Sequence, residues 1–260
     1  MGGDGLLSAV RRQLGLGRLL PLWHDGAWGA WLTERAARAA LVAAVAVAVP
    51  GARLDALRLG LAGEPSGASS EEPSGQSTAD GVPAPPGALP AGPLRVTAEI
   101  AAFPTLPLTD LAERVRATLA EVATERLGLP VAAVDVAVTE LLAEPPEPAG
   151  PGREPPSPPD ALGSGGPGAD AVAEAVTAVD GVGGLSAVLD GWLGAVRVED
   201  RDDPPSRLVR LQLAVVGLGA GRPLPALVAE VARVATATAA TAGSTARGPV
   251  LATLLVTDVG

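Results

Sequence analysis

The sequence contains no cysteine, lysine, asparagine or tyrosine, and Ile100 is its only isoleucine. Without cysteine the chain can form neither a disulfide framework nor a thiolate metal site, and it has no thiol nucleophile. All 19 basic residues are arginine. The residues that dominate instead, alanine, glycine, proline and arginine, have GC-rich codons, which indicates a high-GC bacterial genome such as that of an actinomycete.

Histidine is nearly absent as well, because His24 is the only one. One imidazole without cysteine cannot build a zinc site of the usual kinds. The chain has no Gly-x-Ser-x-Gly motif, and the acidic run at 199–203 lacks the ordered spacing of a calcium loop. We therefore predict no catalytic residue, no metal site and no cofactor, and we expect a protein that is not an enzyme.

The charge balance argues against two classes of partner. A formal net charge of -10 and a pI near 4.6 have the wrong sign for nucleic acid or an anionic bilayer. The most apolar run, 36–50, contains Arg38 and is shorter than the roughly 20 residues that span a bilayer. Arginines also interrupt the N-terminal apolar positions, unlike in a signal peptide. We expect a cytoplasmic protein without a transmembrane segment.

Two stretches are rich in Pro, Gly and Ser and poor in large apolar residues, and such composition predicts disorder. They divide the chain. Residues 1–32 form an N-terminal amphipathic, Trp-rich segment, and 33–142 form a first unit that contains a disordered insert at 63–93. A linker at 143–169 precedes a second unit at 170–260.

The two units repeat one pattern of helix, strand, strand, helix and strand. The alternation of apolar and polar residues at 94–100 recurs at 209–215, and each run indicates a strand with one buried face. A proline-started helix follows each strand, at Pro107 and Pro223. We therefore predict an α/β (α+β) protein of two tandem small units, each with a three-stranded mixed sheet and its helices on one face.

Two short motifs resemble a known family. The run Leu127–Val138 (LGLPVAAVDVAV) resembles the closing "T-G-L-x-V-x-x-V-N-V-x-V" of the alkaline shock protein family of Gram-positive bacteria. The run Ala175–Ser186 (AVTAVDGVGGLS) is similar to that family's opening "A-x-x-V-x-G-V-x-x-L-S". The sequence departs from the family pattern in its two copies, in its Pro-rich inserts and at Arg126, where a Thr-like residue is usual.

The resemblance implies a non-enzymatic cytoplasmic scaffold or adaptor linked to cell-envelope stress. It also implies a protein partner embedded in the membrane, so that the chain would lie at the inner face of the cytoplasmic membrane. Self-association through the small sheets is a further option.

The N-terminal segment carries the predicted partner-binding residues. One apolar helical face is followed by three tryptophans within nine residues, and indoles favour interfaces. These residues are Leu6, Leu7, Val10, Leu14, Trp23, Trp28 and Trp31. The alternative is that the tryptophans cover the sheet of the first unit. Under the docking hypothesis, a chain that begins at Thr33 should stay folded.

A glycine-rich loop provides the alternative function. Gly217–Arg222 follows a predicted strand and precedes a helix, as phosphate-binding loops do, although its spacing is not G-x-G-x-x-G. Gly219, Gly221 and Arg222 could contact an anion there. The alternative to a scaffold is thus a small-molecule or anion-binding regulatory domain.

Overall fold

The structure is a computed structural model. The residues that it describes are 17–24, 26–63, 82–104, 106–146, 164–188, 194–218, 222–242 and 248–260. The chain divides into two compact units. The first unit of the structure is built from Met1–Ala36, Gln76–Pro90 and Pro156–Gly260 and contains the predicted second unit. The second unit of the structure is built from Ala37–Gly75 and Ala91–Pro155 and contains most of the predicted first unit. From here on the units are numbered as in the structure.

Helices and strands are mixed along the chain, which confirms the predicted α/β class. In chain order they are β1 (Leu19–His24), β2 (Trp28–Thr33), α1 (Glu34–Ala48), β3 (Ala52–Leu61), β4 (Leu94–Ala102), α2 (Leu108–Glu121) with a π-helical turn (Val122–Arg126), β5 (Val131–Leu141), β6 (Ser164–Gly165), α3 (Ala169–Thr177), β7 (Val182–Leu185), β8 (Val196–Asp202), β9 (Pro205–Val215), α4 (Leu224–Thr241) and β10 (Val250–Val259). The chain passes from the first unit to the second within α1.

The second unit has the predicted order of helix, two strands, helix and strand. β3 pairs antiparallel with β4, and β4 pairs parallel with β5, so the sheet order is β3-β4-β5. Pro107 precedes the first residue of α2, where a missing N–H costs no helical hydrogen bond. The three-stranded mixed sheet expected from the sequence is present in this unit.

Side-chain alternation gives this sheet one apolar face and one charged face. Val96, Ala98 and Ile100 of β4 are fully buried, at positions separated by two residues. On the opposite face, Arg95 forms an ion pair with Asp135 of β5, with Nη1 and Oδ2 3.1 Å apart. The buried face predicted for 94–100 is therefore confirmed.

The first unit contains a larger sheet, in the order β1-β2-β10-β9-β8-β6, and β7 pairs with the C-terminal end of β9. Within it, α3, β8, β9, α4 and β10 follow the same order as the elements of the second unit. β8 is antiparallel to β9 and β9 is parallel to β10, as in that unit. Four further strands widen the sheet to seven, where the sequence predicted three.

The boundaries of the units differ from those predicted, because β2 pairs parallel with β10. Residues 19–32 of the predicted N-terminal segment are therefore part of the folded first unit, and 33–36 belong to this unit rather than to the one that contains 37–63. Part of the predicted insert at 63–93 is also packed. Val82 is buried against Leu208, Leu251 and Leu255 of the seven-stranded sheet. The disorder predicted for 64–81 and 147–163 falls outside the described residues.

The pairing of β2 with β10 overturns the expectation that a chain beginning at Thr33 stays folded. Such a chain loses β1 and β2, and with them the buried Leu20, Trp31 and Leu32. At roughly 2–5 kcal/mol each, the loss of these three buried side chains alone costs about 6–15 kcal/mol, which is comparable to the roughly 5–15 kcal/mol that stabilises a typical domain. We expect loss of the cooperative thermal transition of the first unit, measured by circular dichroism.

A chain that begins at Gly17 is the matched control, because it keeps every described strand. It should melt as the full chain does. Equal melting of the chain that begins at Thr33 would show that β1 and β2 are dispensable.

Candidate functional site

The structure separates the three tryptophans that the sequence grouped together. Trp31 is buried, in a cluster with Leu19 and Leu255. Trp28 is half-buried, whereas Trp23 is 53% exposed. The other predicted partner-binding residues, Leu6, Leu7, Val10 and Leu14, lie outside the described residues. Only Trp23 and Trp28 are therefore placed where a partner could touch them.

Trp23 and Trp28 stack at the end of the β1–β2 hairpin. Their ring centroids are 6.4 Å apart and the ring planes are inclined by 29°. Offset aromatic pairs of this kind contribute about 0.5–1.5 kcal/mol beyond their area. The pair arises because β1 is irregular between Pro21 and Trp23, so that Trp23 rather than Leu22 lies opposite Ala30. The stack fixes an indole in a partly solvated position.

The outer edge of β1 is protected against strand addition. The backbone N–H of Leu19 donates to the carbonyl of Gly87, and its carbonyl accepts from Leu89. Pro21 has no N–H to offer, and the irregularity that follows it interrupts the strand. Covering, proline and irregularity are the usual means of blocking an edge. Docking at this hairpin must therefore use the indole side chains rather than the backbone.

Arg222, the predicted anion contact, is engaged within the chain. Its guanidinium forms an ion pair with Glu230 of α4 and donates to the carbonyl of Asp180 at 3.4 Å. The hydrogen bond from Arg222 lowers the pKa of the Glu230 carboxyl below its usual value. Gly219 and Gly221 lie outside the described residues. An anion at Arg222 would have to compete with the Glu230 carboxylate.

A buried arginine that the sequence analysis did not select holds β8, β9 and α4 together. Arg207 of β9 is 1% exposed and forms two hydrogen bonds to the Asp200 carboxylate, at 2.6 and 3.1 Å. Its Nη1 also donates to the carbonyls of Ala239 and Ala242, at 2.6 and 2.9 Å. These carbonyls lie at the C-terminus of α4, where a cation is favourable. The role of Arg207 is structural.

The burial of Arg207 could have been predicted from the sequence pattern of β9. One side of β9 faces the helices and carries four buried apolar residues, Val209, Leu211, Leu213 and Val215. Arg207 lies two residues before Val209 and therefore on the same side. An arginine in phase with buried residues indicates a buried ion pair, because an unpaired buried charge costs several kcal/mol.

Glu199 lies on the opposite face of the same strands, between two arginines. Arg197 Nε donates to its Oε1 at 2.5 Å, and Arg210 Nη2 is 3.3 Å from its Oε2. The hydrogen bond from Arg197 lowers the pKa of the Glu199 carboxyl, and the charges of Arg210 and Arg201 act in the same direction. Two carboxylates of the acidic run at 199–203, those of Glu199 and Asp200, are therefore bound to arginines.

Among the described residues, no helix combines the length and the apolar character needed to cross a membrane. In the same part of the chain, no three His, Cys, Asp or Glu side chains come together in a group that could hold a metal ion. No protein-family model, curated protein or solved structure matches the chain.

The Arg207 pair can be tested by Arg207→Met, which keeps the aliphatic stem and removes the charge. The change leaves Asp200 and two helix-terminal carbonyls without their donor, so we expect the free energy of unfolding to fall by about 3 kcal/mol in urea denaturation. Arg58→Met, at an exposed position of β3, is the control and should change the free energy of unfolding by less than about 0.5 kcal/mol. Equal losses would contradict the assigned role of Arg207.

The lowered pKa of Glu199 predicts a pH-dependent contribution. Its carboxylate stabilises the fold above the ordinary pKa of Glu, and this stability is lost as the pH falls through the lowered pKa of the folded state. Glu199→Gln should cost about 1 kcal/mol at pH 7, since the pair is partly exposed. The difference from the unmodified chain should disappear at low pH, which urea denaturation at several pH values measures. If the difference in the free energy of unfolding between the unmodified chain and Glu199→Gln did not change with pH, the protonation of Glu199 would not be linked to stability.

Proposed function

We propose that the chain is a non-enzymatic scaffold or adaptor that docks on a protein partner through the tryptophan pair Trp23 and Trp28. The observation that carries this proposal is the exposure of Trp23, which is stacked on Trp28 and therefore held in place rather than free to fold inward. Exposed tryptophan is a common source of binding energy in protein interfaces, because a buried indole removes a large apolar area from water.

The geometry of the hairpin favours a protein partner over strand addition. With the edge of β1 blocked at Leu19 and Pro21, the indoles are the part of the hairpin that a partner can bury. A pocket that receives an aromatic side chain and whose rim excludes water is the typical counterpart. The net charge of -10 makes an anionic lipid surface a poor receptor for this element.

The non-enzymatic part of the proposal rests on the sequence, which offers one histidine and no cysteine. The link to cell-envelope stress, the location at the inner face of the cytoplasmic membrane and the membrane-embedded partner rest on the two alkaline-shock-like motifs. The closing motif runs into β5 of the second unit, and the opening motif joins α3 to β7 of the first. Each motif thus includes one element of the shared order, β5 in the second unit and α3 in the first.

The docking role of Trp23 can be tested by capture on the immobilised full chain from a detergent-solubilised lysate of the source organism. Trp23→Ser should reduce the amount of each specifically captured protein about 10-fold or more, because truncating a central tryptophan typically costs at least about 2 kcal/mol. Val47→Ser is the matched control, since Val47 of α1 is an apolar residue that is 84% exposed. It should leave capture unchanged.

Two outcomes of this experiment would contradict the proposal. Equal capture by the full chain and the Trp23→Ser variant would remove Trp23 from the interface. If Val47→Ser reduced the amount of captured protein as much as Trp23→Ser does, the capture would reflect non-specific adsorption to exposed apolar side chains. Sedimentation velocity over a range of concentrations checks self-association, and a dimer that Trp23→Ser dissociates would make a second copy the partner.

A further inference from the structure

A polar row crosses the face of the seven-stranded sheet opposite to α3 and α4. Arg197 of β8 pairs with Arg210 of β9, Arg210 pairs with Thr253 of β10, and Thr253 pairs with Gly29 of β2. Residues directly opposite on neighbouring strands project to the same face, about 5 Å apart. Two guanidinium groups and one hydroxyl therefore lie side by side in a line perpendicular to the strands.

The charges in this row are unbalanced. Like charges directly opposite each other destabilise a sheet. Among the described residues, Arg197 and Arg210 share one carboxylate, that of Glu199. Arg201 follows on the same face of β8 and adds a further positive charge. Burial lowers the pKa of the Arg210 guanidinium, since it favours the uncharged form. The arrangement puts excess positive charge into a chain whose net charge is -10.

The hydroxyl in the row is unsatisfied. Thr253 is 1% exposed, and among the described residues its Oγ1 has no hydrogen-bond partner. An unsatisfied buried hydroxyl costs roughly 1–3 kcal/mol, so it indicates a partner that binds there. Its neighbours along β10, Leu251 and Leu255, are apolar and cannot supply one.

Gly29 lies at the β2 end of the row, and the ring of Trp31 lies over it. A Cβ atom at Gly29 would lie 2.5 Å from the Trp31 ring, so the indole bends over this position and any larger residue would push it away. Trp31 is itself buried, which leaves the arginine end as the open side. The side chains of Arg197 and Arg210 are 31% and 22% exposed there.

We propose that Arg197, Arg210 and Thr253 form a binding site for a small oxyanion, the group that a carboxylate and a phosphate share. The guanidinium groups bind two of its oxygens in the bidentate manner typical of arginine, and the Thr253 hydroxyl donates to another. The oxyanion neutralises the arginine pair and satisfies the hydroxyl in one step. This site lies on β8, β9 and β10, whereas the predicted glycine-rich loop ends at Arg222.

The test uses the full chain and inorganic phosphate in isothermal titration calorimetry, with chloride added to hold the ionic strength constant. We expect saturable binding of phosphate, and a parallel titration with acetate shows whether a carboxylate is bound more tightly. Arg210→Gln and Thr253→Val should each weaken binding about 10-fold or more, since a hydrogen bond to a charged group is lost. Arg58→Gln on β3 is the control and should bind as the unmodified chain does.

Thr253→Val separates binding from folding. Because it replaces an unsatisfied hydroxyl with a methyl group of similar size, it should raise the melting temperature of the free protein while it weakens phosphate binding. A purely structural role would not produce opposite changes. If Arg210→Gln fails to fold, Arg197→Gln tests the same guanidinium pair from the more exposed strand.

The proposal is overturned if neither phosphate nor acetate binds, or if Arg197→Gln and Thr253→Val bind phosphate as tightly as the unmodified chain. It stands apart from docking through the tryptophan pair. The Trp23→Ser variant should keep its phosphate affinity, and Thr253→Val should keep its captured proteins. Each proposal can therefore fail without the other.

Discussion

The parallel pairing of β2 with β10 is the constraint on which the first unit depends. It places Ala30, Trp31 and Leu32 beside Leu254, Leu255 and Val256, and all six residues are buried. The hairpin partner of β2 then becomes the outer strand, which puts Trp23 at the border of the sheet. The same pairing sets Gly29 opposite Thr253 and so completes the polar row. The position of Trp23 and the glycine end of the polar row thus both depend on this ladder of hydrogen bonds.

The sequence predicted the second unit well because the signals there are local. Alternation marks β4 and β5, and Pro107 marks the start of α2. In the first unit the closing strand β10 was predicted but β2 was not, since β2 is buried along most of its length and does not alternate. A strand of this kind cannot be told from other apolar runs by periodicity. Its partner lies far along the chain, where no local pattern points to it.

The candidate sites were harder to predict than the fold. Trp23 and Trp31 lie in the same apolar stretch of sequence, but one is exposed and the other is buried. The irregularity of β1 after Pro21 produces this difference, and the sequence does not reveal it. The polar row is also a product of register, because Arg197 and Arg210 lie opposite each other across the β8–β9 hairpin and the distant Thr253 joins them only when β10 aligns with β9. Arg207 could have been found, since it falls in phase with four buried residues of β9. Polar residues inside apolar strands are thus the most informative positions in this sequence.

The distance between the paired strands has a consequence for synthesis on the ribosome. Thr33 and its hydrogen-bond partner Thr257 are 224 residues apart, so β2 emerges long before β10 exists. At the usual elongation rate of 5–20 residues per second, the interval is roughly 10–45 s. During it the indole of Trp31 and the leucines beside it have no strand to cover them, and exposed apolar segments of this kind aggregate or recruit chaperones. The nascent first unit is therefore exposed to aggregation until β10 has been synthesised and has left the exit tunnel.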